Sequence, residues 1–216
     1  MNTRWLFFSV GLLAILFALI ACRQFAVPKA KEAAIQSPDT SLAMATFAGG
    51  CFWCTEADFD KIPGVVSTTS GYIGGTLVNP TYKQVIAGNT GHVEAVQVHF
   101  DLTRTDFSKL LAAYWLTIDP LTPNRQFCDI GTQYRSVIFY HNVEQKDLAE
   151  ASKIRLEESD RFNQPIMTEI LPATDFFPAE TYHQDYYLKN PLRYAYYRNG
   201  CGRDKRLEQL WGSKQH

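Results

Sequence analysis

The segment Gly49-Gly50-Cys51-Phe52-Trp53-Cys54 constrains this chain more than any other part of its sequence. A short apolar run at residues 44–48 leads into two glycines, and a helical pattern follows, so the predicted order is strand, tight turn, helix. Cys51 would then lie at the helix N-terminus, where unpaired N–H groups and the helix dipole favour its thiolate. The segment therefore predicts a reactive cysteine. The alternatives are a redox-inert pair of Cys51 and Cys54, or half of a zinc site.

Strand and helix patterns alternate along the rest of the chain. We expect strands at residues 44–48, 65–72, 92–100, 136–140 and 166–171, and helices at 52–61, 81–87, 106–117 and 143–158. Residues 120–131 read as a polar, proline-broken loop, and the prolines and tyrosines beyond residue 171 predict a long coiled tail with one short helix. This order predicts an α+β fold, a two-layer α/β sandwich with a ferredoxin-like core.

The N-terminal region has the composition of an export signal. Residues 5–21 are almost continuously apolar after the positive charge of Arg4, and Leu-Ile-Ala-Cys at 19–22 resembles a bacterial lipobox. We interpret residues 1–22 as a signal peptide that ends at a lipidated Cys22; an uncleaved membrane anchor is the alternative. Residues 23–43 read as a tether. Either interpretation predicts an exported, membrane-tethered domain at residues 44–216, on the periplasmic or cell-surface side.

Export to an oxidising compartment would change which disulfides the cysteines can form. Beyond Cys22, the chain contains Cys51, Cys54, Cys128 and Cys201, and an oxidising compartment permits two static disulfides among them. It equally permits a catalytic disulfide that cycles with a reductant. The charge balance of 21 basic and 22 acidic residues gives no sign of nucleic-acid binding.

Glu94 is the candidate acid of the site. In the predicted strand it shares one face with His92, Val96, Val98 and Phe100, because side chains alternate between faces, and that face is mostly apolar. A carboxyl group on an apolar face is desolvated, so its pKa should rise and the group could donate a proton near neutral pH. The alternative is a solvated carboxylate at the entry of the strand.

Aromatic and polar side chains complete the candidate site. Phe52 and Trp53 could form an apolar cage for a small uncharged group such as a methyl, or they could be ordinary core residues. Tyr82 and Tyr134 are candidate hydroxyl donors, and Asp129 lies in the polar loop before Tyr134. Each of these three is weak evidence alone, since a buried tyrosine usually satisfies only a backbone partner.

Four ordered motifs resemble the A-type peptide-methionine sulfoxide reductases. They are Gly-Cys-Phe-Trp at 50–53, Gly-Tyr-Ile-Gly-Gly at 71–75, Thr-Gly-His-Val-Glu at 90–94 and Asp-Ile-Gly-Thr-Gln-Tyr-Arg-Ser at 129–136. The resemblance extends from about residue 45 to residue 211. It implies reduction of the S epimer of methionine sulfoxide, free or in proteins, by a monomeric enzyme with no cofactor and no metal.

The resemblance also implies residue roles. Cys51 would attack the sulfoxide sulfur while Glu94 protonates the departing oxygen, which leaves Cys51 as a sulfenic acid. The implied substrate-binding residues are Phe52, Trp53, Tyr82, Asp129 and Tyr134. A second thiol would condense with the sulfenic acid, and thioredoxin or a thioredoxin-like protein would reduce the resulting disulfide.

The second thiol is not determined by the sequence. We place Cys201, in Gly200-Cys201-Gly202, slightly ahead of Cys54, which is three residues from Cys51. Cys128 comes third, and its alternative is a small buried hydrophobic residue. Two other functions stay open: a general thiol–disulfide oxidoreductase that uses the C-x-x-C spacing, and a membrane-tethered zinc or interaction module.

Overall fold

The structure is a computed structural model that describes residues 41–212. The predicted signal segment at residues 1–22, with Cys22, lies outside the described residues, as does the tether up to residue 40. Among the residues that are described, no helix is long and apolar enough to cross a membrane.

The chain forms eight strands and seven helices between residues 41 and 212. The strands are β1 Leu42–Gly49, β2 Val65–Ile73, β3 Val93–Asp101, β4 Arg125–Gln126, β5 Asp129–Ile130, β6 Ser136–Tyr140, β7 Glu169–Pro172 and β8 Phe177–Pro178. The helices are α1 Phe52–Phe59, α2 Tyr82–Ile86, α3 Phe107–Trp115, α4 Val143–Glu157, α5 Tyr186–Lys189, α6 Pro191–Gly200 and α7 Arg203–Trp211. A 3₁₀ turn covers Thr132–Tyr134.

Six strands form the main sheet in the order β7-β6-β1-β3-β2-β8. All neighbouring pairs are antiparallel except β6 and β7, which are parallel. The four inner strands β1, β2, β3 and β6 lie side by side in the order β6-β1-β3-β2. Numbered by their place in the sequence, this is the order 4-1-3-2, and helix α1 follows β1 while α3 follows β3. This is the split β-α-β arrangement of ferredoxin-like folds, so the predicted α+β class is confirmed.

One face of the sheet carries the main core beneath the helices. Phe47 on β1 stacks against Phe59 of α1 at 4.8 Å, and against Tyr114 of α3 at 5.0 Å between ring centroids. Val96 and Phe100 of β3 belong to the same buried cluster. Because Glu94 shares their parity, it points to the helix-covered face, as the sequence pattern predicted.

The C-terminal region differs from its prediction. A coiled tail with one short helix was expected, whereas the structure has the three helices α5, α6 and α7. Pro191 starts α6 at its first turn, where its missing N–H costs no hydrogen bond, so it does not break a helix there. The tyrosines give these helices no clear apolar stripe, and the periodicity criterion therefore missed them.

Candidate active site

A glycine turn places Cys51 at the start of α1. The strand β1 ends at Gly49, and Gly50 adopts a φ of +83°, which L residues rarely adopt. A Cβ added at Gly50 would lie 2.5 Å from Cβ of Gln126, so only glycine fits here without displacement. Cys51 follows as the N-cap of α1, the position predicted for it.

The buried side chain of Arg203, in α7, hydrogen-bonds to this turn. Nη1 and Nη2 of Arg203 donate to the carbonyl oxygen of Gly49 at 3.2 and 3.3 Å, and Nη2 also donates to the carbonyl of Thr117 at 2.8 Å. Its guanidinium lies 4.5 Å from the ring centroid of Phe127. Sequence reasoning missed Arg203, because no local pattern marks an arginine as fully buried.

Glu94 meets the first turn of α1. The backbone N–H of Phe52 donates to Oε2 of Glu94 at 3.0 Å, and Glu94 is only 2% exposed. Burial raises the pKa of this carboxyl to about 8, even though the Phe52 hydrogen bond acts in the opposite direction. A protonated Glu94 near neutral pH is therefore what the structure supports, in agreement with the strand-parity argument.

All the predicted catalytic and substrate-binding residues line one small pocket. It has a volume of about 60 Å³ and is lined by Cys51, Phe52, Trp53, Tyr82, Glu94, Asp129, Tyr134 and Tyr197. These side chains come from α1, β3, the start of α2, the segment that begins with β5, and α6. The structure thus brings together residues that lie up to 146 positions apart in the sequence, from Cys51 to Tyr197.

The two predicted tyrosine donors stay protonated in this pocket. Burial, followed by the charges of the neighbouring carboxyl groups, raises the pKa of both Tyr82 and Tyr134 above the ordinary tyrosine value. Their hydroxyl groups are therefore donors at every physiological pH. A negatively polarised oxygen in the pocket would be the complementary acceptor.

The indole of Trp53 is held by the C-terminal region. Its Nε1–H donates to Nδ1 of His183 at 3.0 Å, and its ring stacks on Tyr186 with centroids 3.7 Å apart. The His183 ring also lies 5.0 Å from that of Phe52. The sequence did not identify His183 or Tyr186, since nothing local links them to residues 130 positions earlier.

Glu180 holds the start of α2, which carries the pocket residue Tyr82. Its two carboxylate oxygens accept hydrogen bonds from the backbone N–H of Tyr82 and the hydroxyl of Tyr72, each at 2.9 Å. This contact joins the start of α2 to β2. Glu180 is a further residue that sequence reasoning missed, and it acts on the site by positioning Tyr82.

Tyr197 is the missed residue in the pocket wall itself. Its hydroxyl donates to Oδ2 of Asp129 at 2.6 Å, and burial raises the pKa of that carboxyl. The tyrosine cluster was visible in the sequence, but it gave no reason to select this member. The contact attaches α6 to the segment that begins with β5.

The two free cysteines differ in electrostatic environment. Among the described residues, the free cysteines are Cys51 and Cys54, both buried. Burial raises the pKa of Cys51, whereas the hydrogen bond from Cys51 lowers the pKa of Cys54 to about 7, with Arg203 and Arg198 contributing. The predicted stabilisation of a Cys51 thiolate is therefore not found, because burial, followed by the contact with Cys54, disfavours the charged form of Cys51. The first N–H of α1 donates to Glu94.

Cys128 and Cys201 form a disulfide with a Cα–Cα distance of 5.0 Å. This pairing was not predicted, and the alternative of Cys128 as a small buried residue is wrong, because Cys128 is exposed. Within residues 41–212, the one group of three potential metal ligands is Cys128, Asp129 and Cys201. The disulfide uses both of its sulfur atoms, so this cluster gives no support to a zinc module.

Comparison with known proteins agrees with this site. The family model for peptide methionine sulfoxide reductase matches residues 43–215. The chain is 53% identical over 171 residues to the peptide methionine sulfoxide reductase MsrA of Bacillus licheniformis, with 79% of this chain and 94% of that protein covered. It is 45% identical over 203 residues to MsrA/MsrB of Vibrio cholerae, with 93% of this chain covered. The chain spans about half, 54%, of the length of that Vibrio relative.

A solved structure shows the same fold. Methionine sulfoxide reductase A of Corynebacterium diphtheriae superposes with a TM-score of 0.64 at 35% identity, covering 72% of this chain and 78% of that chain. The resemblance carried by the four sequence motifs is thereby confirmed, in preference to a general thiol–disulfide oxidoreductase. This chain belongs to the peptide methionine sulfoxide reductase family and is of the MsrA type.

Proposed function

We propose that this chain reduces the S epimer of methionine sulfoxide, free or in proteins, to methionine. One observation carries the proposal: a cysteine thiol and a buried, protonated carboxyl group face the same small aromatic pocket. A nucleophilic sulfur beside a proton donor is what reduction of a sulfoxide requires, because its oxygen must leave with a proton. Family membership supports the same reaction.

The chemistry balances with groups of this chain alone. Sγ of Cys51 bonds to the sulfoxide sulfur, and Glu94 gives its proton to the sulfoxide oxygen as the sulfur–oxygen bond breaks. The oxygen becomes bonded to Sγ of Cys51 while the bond between the two sulfur atoms breaks, so methionine leaves with that electron pair and Cys51 is left as a sulfenic acid. The original thiol proton of Cys51 restores the acid form of Glu94. Tyr82 and Tyr134 donate hydrogen bonds to the oxygen while negative charge develops on it.

The aromatic residues provide the specificity of the pocket. Phe52 is fully buried, and Trp53 is fixed by its hydrogen bond to His183 and its stacking on Tyr186. Such a rigid apolar wall accepts the terminal methyl group of methionine sulfoxide and excludes water from the reacting sulfur. Asp129, whose carboxylate accepts a hydrogen bond from Tyr197, adds a polar group to the lining of the same pocket.

Cys54 is the thiol that resolves the sulfenic acid in this proposal. It is free, 1% exposed and hydrogen-bonded by Cys51, whereas Cys201 is bonded to Cys128. Cys51 is the N-cap of α1 and Cys54 its third residue, so a disulfide between them needs little opening of the helix. Condensation forms the Cys51–Cys54 bond and releases water. A thioredoxin-like dithiol protein then restores both thiols.

The function and the resolving thiol are tested together in the full chain. Without reductant, the wild-type chain should convert one equivalent of the S epimer, leave the R epimer unchanged, and end with a Cys51–Cys54 disulfide. Cys54→Ser should stop with a Cys51 sulfenic acid that dimedone labels, while Cys201→Ser should not be labelled. Mass spectrometry of the peptides gives both results. The opposite labelling pattern would make Cys201 the resolving thiol, and absence of methionine would reject the function.

The proposed location is the outer side of a membrane, with Cys22 as the lipidated anchor. The apolar run at residues 5–21 supports export, and the exposed Cys128–Cys201 disulfide suits an oxidising compartment. Mass spectrometry of the mature protein should find an acylated N-terminus at Cys22. An intact segment from Met1 would favour the uncleaved anchor.

A further inference from the structure

A surface groove surrounds the Cys128–Cys201 disulfide. It is lined by Cys128, Tyr196, Tyr197, Asn199, Gly200 and Cys201. The side chain of Tyr196 is 83% exposed at this place. Tyr197 lines both the groove and the active-site pocket, so the disulfide adjoins the site without being part of its wall.

The two sulfur atoms of this disulfide are not equivalent. Cys128 is exposed, and its Sγ lies 3.8 Å from Oδ1 of Asp129. Cys201 is half-buried, and its Sγ accepts a hydrogen bond from the backbone N–H of Cys128 at 3.1 Å. Cys201 also lines a second cavity, together with Arg125 and the ion pair of Arg206 with Asp119 at 2.7 Å.

These surroundings polarise the bond. The backbone N–H of Cys128 favours negative charge on Sγ of Cys201, whereas the carboxyl group of Asp129 lies within 4.8 Å of both sulfur atoms and does not distinguish them. In thiol–disulfide exchange the better leaving group is the sulfur whose thiolate is more stable, and the attacked sulfur must be accessible. Both criteria select attack at Cys128 with departure of Cys201.

We propose that the groove is the docking site of the dithiol reductant, a protein of the thioredoxin type, and that its thiolate attacks Cys128 and expels Cys201. The inference rests on the proposed function for the onward transfer to Cys51 and Cys54. Exposed aromatic surface at Tyr196 beside an accessible disulfide suits a protein whose reactive thiol sits in an apolar surface.

The exchange balances in two steps. The reductant sulfur bonds to Sγ of Cys128, the Cys128–Cys201 bond breaks, and Cys201 keeps the electron pair as a thiolate. The second thiol of the reductant then attacks its own bonded sulfur and releases Cys128, so the reductant leaves as a disulfide. The reduced Cys201 lies between Gly200 and Gly202, whose added Cβ atoms would meet no atom within 4 Å. This opening leaves room for Cys201 to attack the Cys51–Cys54 disulfide and form a mixed disulfide with one of these cysteines. The thiolate of Cys128 then attacks Cys201, so Cys51 and Cys54 are both released as thiols and the Cys128–Cys201 bond forms again.

Trapping the mixed disulfide tests the proposal. The probe is thioredoxin whose second active-site cysteine is replaced by serine, added to the full chain carrying Cys51→Ser. Because that variant cannot turn over sulfoxide, the result does not depend on the proposed function. We expect an adduct that peptide mapping places on Cys128. An adduct on Cys201, or no adduct on either cysteine, would overturn the inference.

A second variant tests the docking surface. Tyr196→Ser should raise the KM for thioredoxin by about tenfold, as removal of a well-placed interface aromatic does. Turnover with dithiothreitol should stay unchanged, because a small dithiol needs no docking surface. Val143→Ser, which alters an apolar side chain that is 72% exposed and does not line the groove, is the matched control. An unchanged KM for Tyr196→Ser would reject the groove as the docking site.

Discussion

Replacing Cys51 by serine is expected to abolish methionine formation. The hydroxyl of serine is far less nucleophilic than a thiol and cannot accept the sulfoxide oxygen as a stable sulfenic acid. The rate should fall by roughly 10⁴-fold or more, the scale seen when a covalent nucleophile is removed. The measurement is methionine released from the S epimer of methionine sulfoxide, with dithiothreitol as reductant.

The comparison variant for Cys51→Ser is Cys54→Ser in the same assay. Dithiothreitol reduces a sulfenic acid directly, so Cys54→Ser should keep its turnover under these conditions while Cys51→Ser has none. Both substitutions change one buried sulfur to oxygen in the first turn of α1, and matched thermal unfolding would show that the fold is equally retained. Full turnover by Cys51→Ser would contradict the nucleophile assignment.

Replacing Glu94 by glutamine should give the second large effect. An amide of the same shape can keep the acceptor contact with the N–H of Phe52, but it has no acidic proton for the departing oxygen. The single-turnover rate of sulfoxide reduction should drop by ~10²–10⁴-fold, the usual contribution of a general acid. An unchanged rate would remove Glu94 from this role.

The pH dependence of the rate loss in Glu94→Gln tests whether Glu94 supplies the proton to the departing oxygen. Burial raises the pKa of Glu94 to about 8, so the acid form predominates below this pH and is lost as the pH rises through it. The ratio of the wild-type rate to the Glu94→Gln rate should therefore be high at pH 6–7 and decline above about pH 8. Burial and, to a smaller extent, the charge of Glu94 raise the pKa of Cys51, so the Cys51 thiol is titrated in both proteins and each rate is corrected for its thiolate fraction before the ratio is taken. A ratio that does not vary with pH would assign Glu94 a purely structural role.

Local sequence patterns predicted most of the inner sheet and the residues at its centre. The β6 strand at Ser136–Tyr140 and the α4 helix, capped by Asn142, agree closely with the predicted elements. Alternation along β3 placed Glu94 on the buried face, because strand parity depends only on neighbouring positions. The turn before Cys51 was likewise predicted from neighbouring residues alone, the pair Gly49-Gly50.

Long-range contacts in the pocket were beyond these patterns. His183 and Glu180 act on Trp53 and Tyr82 across about a hundred residues, through hydrogen bonds that no spacing rule encodes. Arg203 holds the Gly49 turn from the other end of the described chain. Such contacts follow from how α5, α6 and α7 pack against the sheet, and the sequence predicted only one of those helices.

The sequence by itself determined the family and the α+β class, and it selected Cys51 and Glu94 as the candidate nucleophile and acid, since each of these inferences depends on residue type and local order. Only the tertiary structure decided which cysteines are paired, which are free, and how the pKa of each free thiol is shifted. It paired Cys201 with the exposed Cys128 and left Cys54 free beside Cys51. It also raised the pKa of Cys51 by burial and lowered that of Cys54. These properties depend on which groups are desolvated together, and only the packed chain defines that.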